Sequence, residues 1–478
     1  MSSRRHFLQT AAAFGASLAL PVAAAPTARK ASRIELTPAE FKVALDPASL
    51  VRTGVWSFNQ QFPGPLLRYR RGDTAHIAVS NQLPRETTVH WHGLRVPNGM
   101  DGVPGVTQVA IPVGGSFDYR FELRDSGTYW YHPHQASFEQ VPRGLYGALI
   151  VEEDKPPQVD QDVTWVLSDI RLDDQMQQVE DFGRILDVAN EGRRGTHRLV
   201  NGQLAGPERK IEVRAGERLR LRLINAASAR IFSLSIEGHD ARIVAWDGQG
   251  VTPQRVPADG LVLGPGMRVD LIIDCMGKPG QRFEVRDAGR PRLASAVLGS
   301  LAYSAQPALR SKPLTTSIAV PPNALPEPKL GQASDHYIIF QGGMRGAPVI
   351  GTIDGKASRI QEIMAREGLA WTMNYNAQHE HALMHEPLLH LRKGEHVVLH
   401  MMNETDFVHP MHLHGHFFRV LAVNGVANPQ REWRDTVMMA PRQSVDVAFV
   451  ADSPGEWMYH CHILDHAAGG MMGTILVE

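Results

Sequence analysis

The chain has 478 residues, which is too long for a single hydrophobic core and suggests two to four domains. Its 49 basic and 50 acidic side chains nearly cancel, so the composition provides no basic surface and argues against a nucleic acid partner. The 32 prolines and the 7% aromatic residues fit a β-rich globular protein with many turns. The 22 histidines are clustered along the chain.

The first 25 residues have the order of parts that is typical of a targeting segment. Arg4 and Arg5 form a twin-arginine pair, an apolar stretch follows at 11–20, and three alanines at 23–25 form a cleavage site. The apolar stretch is too short for a stable membrane anchor. We therefore predict export by the twin-arginine machinery to the periplasm, with a mature chain that begins near Pro26.

Three stretches share one pattern, in which a strand, a turn of glycine and an acidic residue, and a second strand lead to an asparagine. The glycines are Gly72, Gly216 and Gly394, and the asparagines, nine residues later in each copy, are Asn81, Asn225 and Asn403. A later strand of each copy carries an aspartate: Asp118, Asp270 and Asp446. Dense short strands with glycine and proline turns predict an all-β protein of three β-sandwich domains.

We expect the domain boundaries near residue 155 and within a proline-rich segment. The first domain then covers 26–155, the second covers 156–300, and the third covers 336–478. Residues 301–335 hold six prolines and are predicted to form a linker. Each predicted domain has an ordinary size for one hydrophobic core.

Four His-x-His pairs occur at matching places in the first and third copies of the pattern. They are His90 and His92, His132 and His134, His412 and His414, and His460 and His462. The second copy has Ser235 and Glu237 at the first of these places. A single His-x-His pair is often just part of a half-buried strand, with its side chains hydrogen-bonded to other groups. In a strand, residues i and i+2 share one face, so each pair presents two imidazoles on the same side. Four pairs therefore predict eight converging imidazoles and a metal site between the first and third domains.

Cys461 lies between His460 and His462, so on a strand its side chain points to the opposite face and serves a different site. Its expected companions are His409, His466 and Met471. Two imidazoles, a thiolate and a distant thioether form the ligand set of a blue copper electron-transfer site, whereas closed zinc sites do not use eight imidazoles. The second cysteine, Cys275, is then expected to be a small core residue without a disulfide.

Together, these segments resemble the multicopper oxidases of the bacterial three-domain, laccase-like and copper-resistance kind. The segments that carry the resemblance are 90–93, 132–134, 409–414 and 460–466 with Met471. The resemblance implies three cupredoxin-like Greek-key β-sandwich domains and four copper ions. It assigns the type 1 copper to His409, Cys461, His466 and Met471, and the type 2 copper to His90 and His412. It assigns the type 3 pair to His92, His132, His134, His414, His460 and His462.

The implied reaction is four one-electron oxidations of a reducing substrate, coupled to reduction of dioxygen to two waters. Asp101 stands where relatives carry a proton-relay carboxylate, and the alternative interpretation is a turn residue before Gly102. The position after the last type 1 histidine is often acidic in relatives and is Ala467 here. A second proton donor is therefore not identified.

Phenols and similar one-electron donors are the leading substrates, and Cu(I), in a periplasmic copper-tolerance role, is the alternative. Ten of 17 methionines lie from Met373 onward. A histidine-rich stretch contains His379, His381, Met384, His385 and His390. Thioethers and imidazoles hold Cu(I), but Met401 and Met402 also fit a strand core, and 379–385 fits a solvated loop. A copper-free scaffold protein is a third possibility, which the complete set of ligand positions disfavours.

Overall fold

The computed structural model describes residues 33–289, 294–345, 348–379 and 387–478. Within these residues the regular secondary structure is mostly β-strand with few helices, which confirms the all-β prediction. The α-helices are short: α1 (Ser137–Arg143), α2 (Ile185–Val188), α3 (Ile360–Glu367) and α4 (Leu464–Ala468). The predicted signal peptide and its cleavage site near Pro26 lie outside the described residues. No helix in the described ranges has the length and apolar character needed to span a membrane.

The N-terminal strands form a three-stranded, a four-stranded and a two-stranded sheet. They are β1 (Ile34–Leu36), β2 (Pro38–Val43), β3 (Thr53–Phe58), β4 (Gly64–Arg70), β5 (Thr74–Ser80), β6 (His90–His92), β7 (Ser116–Glu122), β8 (Gly127–His132) and β9 (Gly147–Glu152). The sheet orders are β1-β5-β7, β4-β9-β8-β6 and β2-β3. The four-stranded sheet carries its histidines on β6 and β8.

The central strands form a seven-stranded and a five-stranded sheet. They are β10 (Gln161–Ile170), β11 (His197–Val200), β12 (Gln203–Leu204), β13 (Lys210–Val213), β14 (Glu217–Asn225), β15 (Phe232–Ile236), β16 (Arg242–Trp246), β17 (Gln249–Arg255), β18 (Leu261–Leu263), β19 (Arg268–Cys275), β20 (Arg282–Asp287) and β21 (Ala296–Tyr303). The orders are β12-β11-β10-β14-β19-β16-β17 and β13-β21-β20-β15-β18. Cys275 has a free thiol and is buried in the core between these sheets, as expected.

The C-terminal strands repeat this plan with a seven-stranded and a five-stranded sheet. They are β22 (Ser334–Gly342), β23 (Ile350–Ile353), β24 (Lys356–Arg359), β25 (Trp371–Met373), β26 (Leu389–Leu391), β27 (His396–Asn403), β28 (His409–Leu413), β29 (Phe418–Val423), β30 (Val426–Ala427), β31 (Trp433–Arg434), β32 (Thr436–Met439), β33 (Ser444–Val450), β34 (Gly455–Cys461) and β35 (Met472–Val477). The larger sheet runs β25-β22-β27-β33-β29-β30, with β31 paired to β29, and the smaller runs β26-β35-β34-β28-β32. Strands β23 and β24 form a separate hairpin.

The alternation of residues in β14 explains how a strand can be buried on both faces. Its three leucines, Leu219, Leu221 and Leu223, point into the central core. The opposite face carries arginines, of which Arg220 is 1% exposed and is paired with Glu153 and Asp270. Buried guanidiniums are tolerated because each one has a carboxylate partner.

Three asparagines that end matching strands make the same hydrogen bonds. The amide of Asn81 donates to the carbonyl of Arg85, and its oxygen accepts from the backbone N–H of Leu83, at 2.8 and 2.9 Å. Asn225 and Asn403 make the equivalent pair of bonds within their own loops. Each asparagine therefore folds the loop that follows its strand, and in two of the three copies the next strand carries histidines.

The segment between β21 and β22 packs against the body of the protein. Tyr303 ends β21 and Ser334 begins β22, with a short 3-10 turn at Leu330–Gln332. Val320 is buried against the central sheet, and Asn323 donates to the backbone of Ser126. The proline-rich stretch is thus held by specific contacts along its path.

Candidate metal centres

The pairing of strands brings the predicted histidine pairs together. In the N-terminal sheet His90 on β6 is paired with His132 on β8, and in the C-terminal sheet His412 on β28 is paired with His460 on β34. All eight side chains of the four pairs are buried, with no more than 2% exposed. His90 and His92 share one face of β6, whereas His134, His414 and His462 lie just beyond the ends of β8, β28 and β34. Cross-strand pairing then brings two histidine pairs together at each of the two sheets.

The eight imidazoles form three groups whose ring nitrogens lie within 4.8 Å of one another. The groups are His90, His92 and His412; His92, His132 and His462; and His134, His414 and His460. Each group draws on both the N-terminal and the C-terminal sheets. Within the third group, the Nε2 atoms of His414 and His460 are 3.1 Å apart.

Hydrogen bonds on the outer side of the cluster orient the rings. The Nδ1 atoms of His90 and His412 donate to the carbonyl oxygens of Asp101 and Asp435, at 2.8 and 2.9 Å. A ring that donates from Nδ1 carries its lone pair on Nε2. Among the described residues, the Nε2 atoms of His90 and His412 have no hydrogen-bond partner, and neither ring nitrogen of His134 has one. Buried nitrogens without partners are costly, so this donor set fits metal ions.

Burial and the neighbouring imidazoles keep the rings neutral. Both effects lower the pKa well below the usual 6.5 for the following five histidines: His92, His132, His134, His414 and His462. The same causes lower the pKa of His460 to about 3. Neutral imidazoles offer the lone pairs that a metal ion needs, so the cluster is prepared for binding at neutral pH.

Asp101 lies at the edge of this cluster and is completely buried. It follows a 3-10 turn at Asn98–Met100, and its Oδ2 accepts a hydrogen bond of 2.7 Å from Nδ1 of His414. Its Oδ1 lies 3.2 Å from Nδ1 of His90. Asp101 is therefore both the turn residue before Gly102 and a direct partner of the histidine cluster.

A second buried carboxylate, Asp435, was missed from the sequence. Its Oδ1 lies 3.5 Å from His92 Nε2 and 3.5 Å from His412 Nδ1. Arg268 of the central β19 donates to both its oxygens, at 2.8 and 2.6 Å. Although burial alone raises the pKa of Asp435, the Arg268 guanidinium and His412 hold it well below its usual value. No spacing rule points to this pair, because 167 residues separate its members.

Cys461 serves a separate site on the other face of β34. Its Sγ lies 3.6 Å from His409 Nδ1 and 3.7 Å from His466 Nδ1, and these two nitrogens are 3.1 Å apart. His466 was expected in a turn and lies in the short helix α4. The outer Nε2 atoms are held at 2.8 Å by Thr405 and at 2.7 Å by the carbonyl of Asn190.

Met471, the expected thioether ligand, lies beside this site. Its side chain is fully buried in the same apolar cluster as Cys461, and its carbonyl accepts from the Cys461 N–H at 3.0 Å. Burial raises the pKa of the Cys461 thiol, and burial lowers the pKa of His466 to about 3. The site is therefore uncharged by itself, and a cation that binds there would displace the thiol proton.

His466 also lines a cavity of about 380 Å³ that opens to the surface. Apolar parts of its wall come from Phe407 and Ile463, and charged side chains, among them Glu191 and Arg345, stand at its rim. A small molecule in this cavity would lie next to the Cys461 site. The eight-histidine cluster is buried and does not line the cavity.

Comparison with known proteins agrees with this geometry. Sequence models described as multicopper oxidase match residues 42–156, 162–304 and 353–478. A solved multicopper oxidase from Pseudomonas thermotolerans is 30% identical, aligns over 94% of this chain and 100% of its own, and has a TM-score of 0.81. The chain belongs to the multicopper oxidases. This oxidase is therefore a copper-dependent oxidoreductase that uses dioxygen as electron acceptor, with the cupredoxin-like fold of that family.

Two curated relatives cover nearly the whole chain. The multicopper oxidase MmcO of Mycobacterium tuberculosis is 29% identical over 96% of this oxidase and 90% of the relative. A copper resistance protein A homolog of Pseudomonas syringae is 27% identical over 96% of this oxidase and 95% of the relative. Other relatives named laccase or copper resistance protein A match at 25% to 28% identity. Relatives with either name have similar sequence identity to this oxidase, so the names do not separate phenol oxidation from Cu(I) oxidation.

Proposed function

We propose that this oxidase binds four copper ions and couples four one-electron oxidations of a phenolic substrate to reduction of dioxygen to two waters. Copper in the Cys461 site would accept single electrons, and copper in the histidine cluster would supply them to dioxygen. The reduction consumes four electrons and four protons. The balance is therefore four phenols oxidised for each dioxygen.

The ligands are assigned by the grouping of the side chains. We assign the type 1 copper to His409, Cys461, His466 and Met471, and the type 2 copper to His90 and His412. We assign the type 3 pair to His92, His132 and His462 for one ion, and to His134, His414 and His460 for the other. Two of the three groups of ring nitrogens within 4.8 Å match the two type 3 sets, and the remaining group contains His90 and His412 together with His92, which it shares with a type 3 set.

One observation carries the proposal. The Sγ of Cys461 faces two imidazole nitrogens on one side of β34, while His460 and His462 join the other cluster on the opposite side. The tripeptide 460–462 therefore links the two sites through covalent bonds. An electron that enters near Cys461 has a short path through the chain toward the site of dioxygen reduction.

Asp101 contacts two imidazole rings of the histidine cluster and is placed to carry a proton there. Asp101 accepts from Nδ1 of His414 with one carboxylate oxygen, and its other oxygen lies near His90. A carboxylate in contact with rings from both parts of the chain can hold a proton at the edge of the cluster. We propose this relay role for Asp101, beside its role in the turn.

Phenols are favoured as substrates because the cavity that His466 lines has apolar walls and a volume suited to a small aromatic molecule. Relatives named copper resistance protein A support Cu(I) as a second candidate. His379, in the histidine-rich stretch, lies 3.5 Å from Glu367, while His381, Met384 and His385 lie outside the described residues. Met401 is buried in the core, as the strand-core interpretation predicted, whereas Met402 is only partly buried.

The test compares two cysteine variants of the full-length protein. Cys461→Ser removes the thiolate, so the blue absorption and phenol oxidation should both disappear while circular dichroism shows an intact fold. Cys275→Ala is the matched control, because this thiol is equally buried but lies in the central core. It should keep colour and turnover. Turnover by the Cys461→Ser protein would contradict the assigned entry point for electrons.

A copper count and a substrate panel complete the test. Four copper ions per chain are expected by elemental analysis. Phenol and Cu(I) oxidation should then be compared in wild type and in a variant with His379, His381 and His385 replaced together. A selective loss of Cu(I) oxidation would favour the copper-tolerance role, and an unchanged ratio would favour the phenol role.

We also propose that residues 1–25 direct the folded protein to the periplasm through the twin-arginine machinery. We further propose that the domain boundaries lie at residues 155, 300 and 335, as predicted from the sequence. Sequencing of the mature protein from a periplasmic extract should give a first residue near Pro26. A mature chain that retains Met1 or Ser2 would contradict it.

A further inference from the structure

The cavity beside His466 has the size and the wall of an aromatic-ring site. Its volume of about 380 Å³ lies within the range of ~300–1,000 Å³ that small-molecule sites occupy. The ring of Phe407 is 2% exposed, and its centroid is 6.5 Å from that of His466. A planar ring that packs on this wall therefore lies next to the histidine through which electrons would enter.

The wall of the cavity carries two arginines, Arg194 and Arg345, and two carboxylates, Glu191 and Asp406. Glu191 is shared by two arginines, with Arg194 Nη2 at 2.9 Å and Arg345 Nη2 at 3.4 Å. Asp406 is already paired with Arg442, whose Nε and Nη2 both donate to it at 2.9 and 2.8 Å. Because Arg442, from outside the wall, already pairs with Asp406, the two arginines of the wall have Glu191 as their shared partner.

Arg345 is the guanidinium whose charge is least satisfied. Its carbon Cζ lies 4.4 Å from the centroid of the Phe407 ring, in cation–π contact. Within the described part of the chain, its guanidinium donates one hydrogen bond, to Glu191, and that bond is longer than the ~2.7–3.2 Å of a good one. Since arginine has five N–H donors, most remain available to a ligand. Its side chain is 48% exposed at the cavity rim.

We propose that Arg345 makes this oxidase selective for phenols that carry a carboxylate, of the hydroxybenzoate or hydroxycinnamate class. The substrate ring lies against the apolar wall at Ile231 and Val408, its carboxylate pairs with Arg345, and the hydroxyl end faces His466. Each molecule loses one electron and its hydroxyl proton and leaves as a phenoxyl radical, with the carboxylate unchanged. Four such oxidations reduce one dioxygen to two waters. The inference rests on the proposed phenol oxidase function and names its substrate class.

Two phenols that differ only in the carboxylate provide the test. Syringate and 2,6-dimethoxyphenol are oxidised by the copper-loaded protein at about pH 6, where the carboxylate is ionised. In Arg345→Gln, kcat/KM for syringate should fall about fivefold, the scale of one half-exposed charge pair. The value for 2,6-dimethoxyphenol should change less than about twofold, because this substrate has no charge to lose.

Two further variants control for charge and for surface change. Glu191→Gln removes the carboxylate that competes for Arg345, so kcat/KM for syringate should rise. Arg366→Gln is the matched control, because Arg366 is 55% exposed and is also paired with a glutamate, yet it does not line the cavity. It should leave both substrates unchanged.

A binding measurement separates recognition from turnover. The aromatic carboxylate 3,4,5-trimethoxybenzoate has no phenol to oxidise, and calorimetry should show that it binds wild type more tightly than Arg345→Gln. An equal loss on both phenols, or a syringate preference that Arg345→Gln retains, would overturn the inference alone. A blue, copper-loaded wild type that oxidises neither phenol would instead overturn the proposed function.

Discussion

At the scale of single residues, Asp101 shows how one side chain joins local structure to the site. Its backbone ends a 3-10 turn, and its carboxylate reaches His414, which is 313 residues further along the chain. The turn interpretation follows from the neighbouring Gly102. The contact with His414, in contrast, depends on how the N-terminal and C-terminal sheets pack together. The structure shows the turn and adds a contact with the histidine cluster, and the proton-relay role stays a proposal.

Replacement of Asp101 by asparagine keeps the size and removes the charge. We expect turnover to fall by about 10–100-fold, the usual effect of losing an outer partner of a metal-binding ring. Stopped-flow absorption should show that anaerobic bleaching by a phenol keeps its rate, while recolouring by dioxygen slows, because Asp101 touches only the histidine cluster. Equal slowing of both steps would show a general structural effect instead.

At the scale of elements, the loop before β7 requires glycine at position 102, because no residue with a side chain fits there. Gly102 has a φ of +85°, and a Cβ there would overlap the carbonyl oxygen of Val89, next to His90. The loop therefore holds Asp101 against β6 by close backbone contact. Gly72 has the same φ of +85° but faces open space.

These two glycines make a matched pair for mutation. Gly72→Ala should cost about 1–2 kcal/mol of unfolding free energy, since only the left-handed backbone is strained. Gly102→Ala adds the steric overlap and should cost more, with a lower copper content because His90 and Asp101 are displaced. Denaturant unfolding and elemental analysis measure both effects. Equal costs at the two positions would contradict the role of close packing.

His400 on β27 joins three strands of the C-terminal sheet through ionic hydrogen bonds. Its Nδ1 lies 2.8 Å from Asp446 on β33, and its Nε2 lies 3.1 Å from Asp335 on β22. Partial burial alone lowers the pKa of His400, but these two carboxylates raise it above the usual 6.5. A raised pKa means that the folded state binds the proton more tightly than the unfolded chain does.

The stability that His400 contributes should therefore be complete below about pH 6.5 and should be lost as the pH rises through its folded pKa. The melting temperature of wild type should exceed that of His400→Gln more at pH 5.5 than at pH 9. His239 gives the opposite control, because burial lowers its pKa, so His239→Gln should show the reverse trend. A difference independent of pH at His400 would contradict the ionic explanation.

At the scale of the whole molecule, the central sheets hold the outer ones in place. Arg268 is completely buried and donates to Asp435 of the C-terminal part and to the carbonyl of Thr128 in the N-terminal part, at 3.2 Å. The second copy of the sequence pattern has Ser235 and Glu237 in place of the first histidine pair, and the structure connects the central sheets to the histidine cluster through Arg268 and Asp435.

Arg268→Gln should leave Asp435 as a buried charge without its main partner. Breaking a buried pair in this way costs about 3–5 kcal/mol, so the melting temperature should fall by several degrees. Arg255→Gln is the control, because Arg255 is 72% exposed and its ion pair with Asp240 contributes little. A melting temperature that Arg268→Gln leaves unchanged would show that Asp435 is stabilised by other groups.

Much of the candidate site was predictable because the relevant rule is local. Residues i and i+2 of a strand share a face, so the His-x-His pairs and the opposite orientation of Cys461 could be derived from spacing alone. The convergence of distant pairs required a second argument, the matching positions in three copies of one pattern. The helix α4 around His466 was not predicted, because five residues are too few for a helical period.

The amino-acid order by itself determined which residues lie on strands, which face each histidine shares with its neighbour, and which family the chain resembles. Only the tertiary structure decided which side chains surround those histidines, such as Asp435, Arg268 and the arginines beside the His466 cavity. The physical reason is range: strand geometry acts between adjacent residues, whereas ion pairs and cavity walls are made by groups far apart in sequence. Their distances depend on how the N-terminal, central and C-terminal sheets pack.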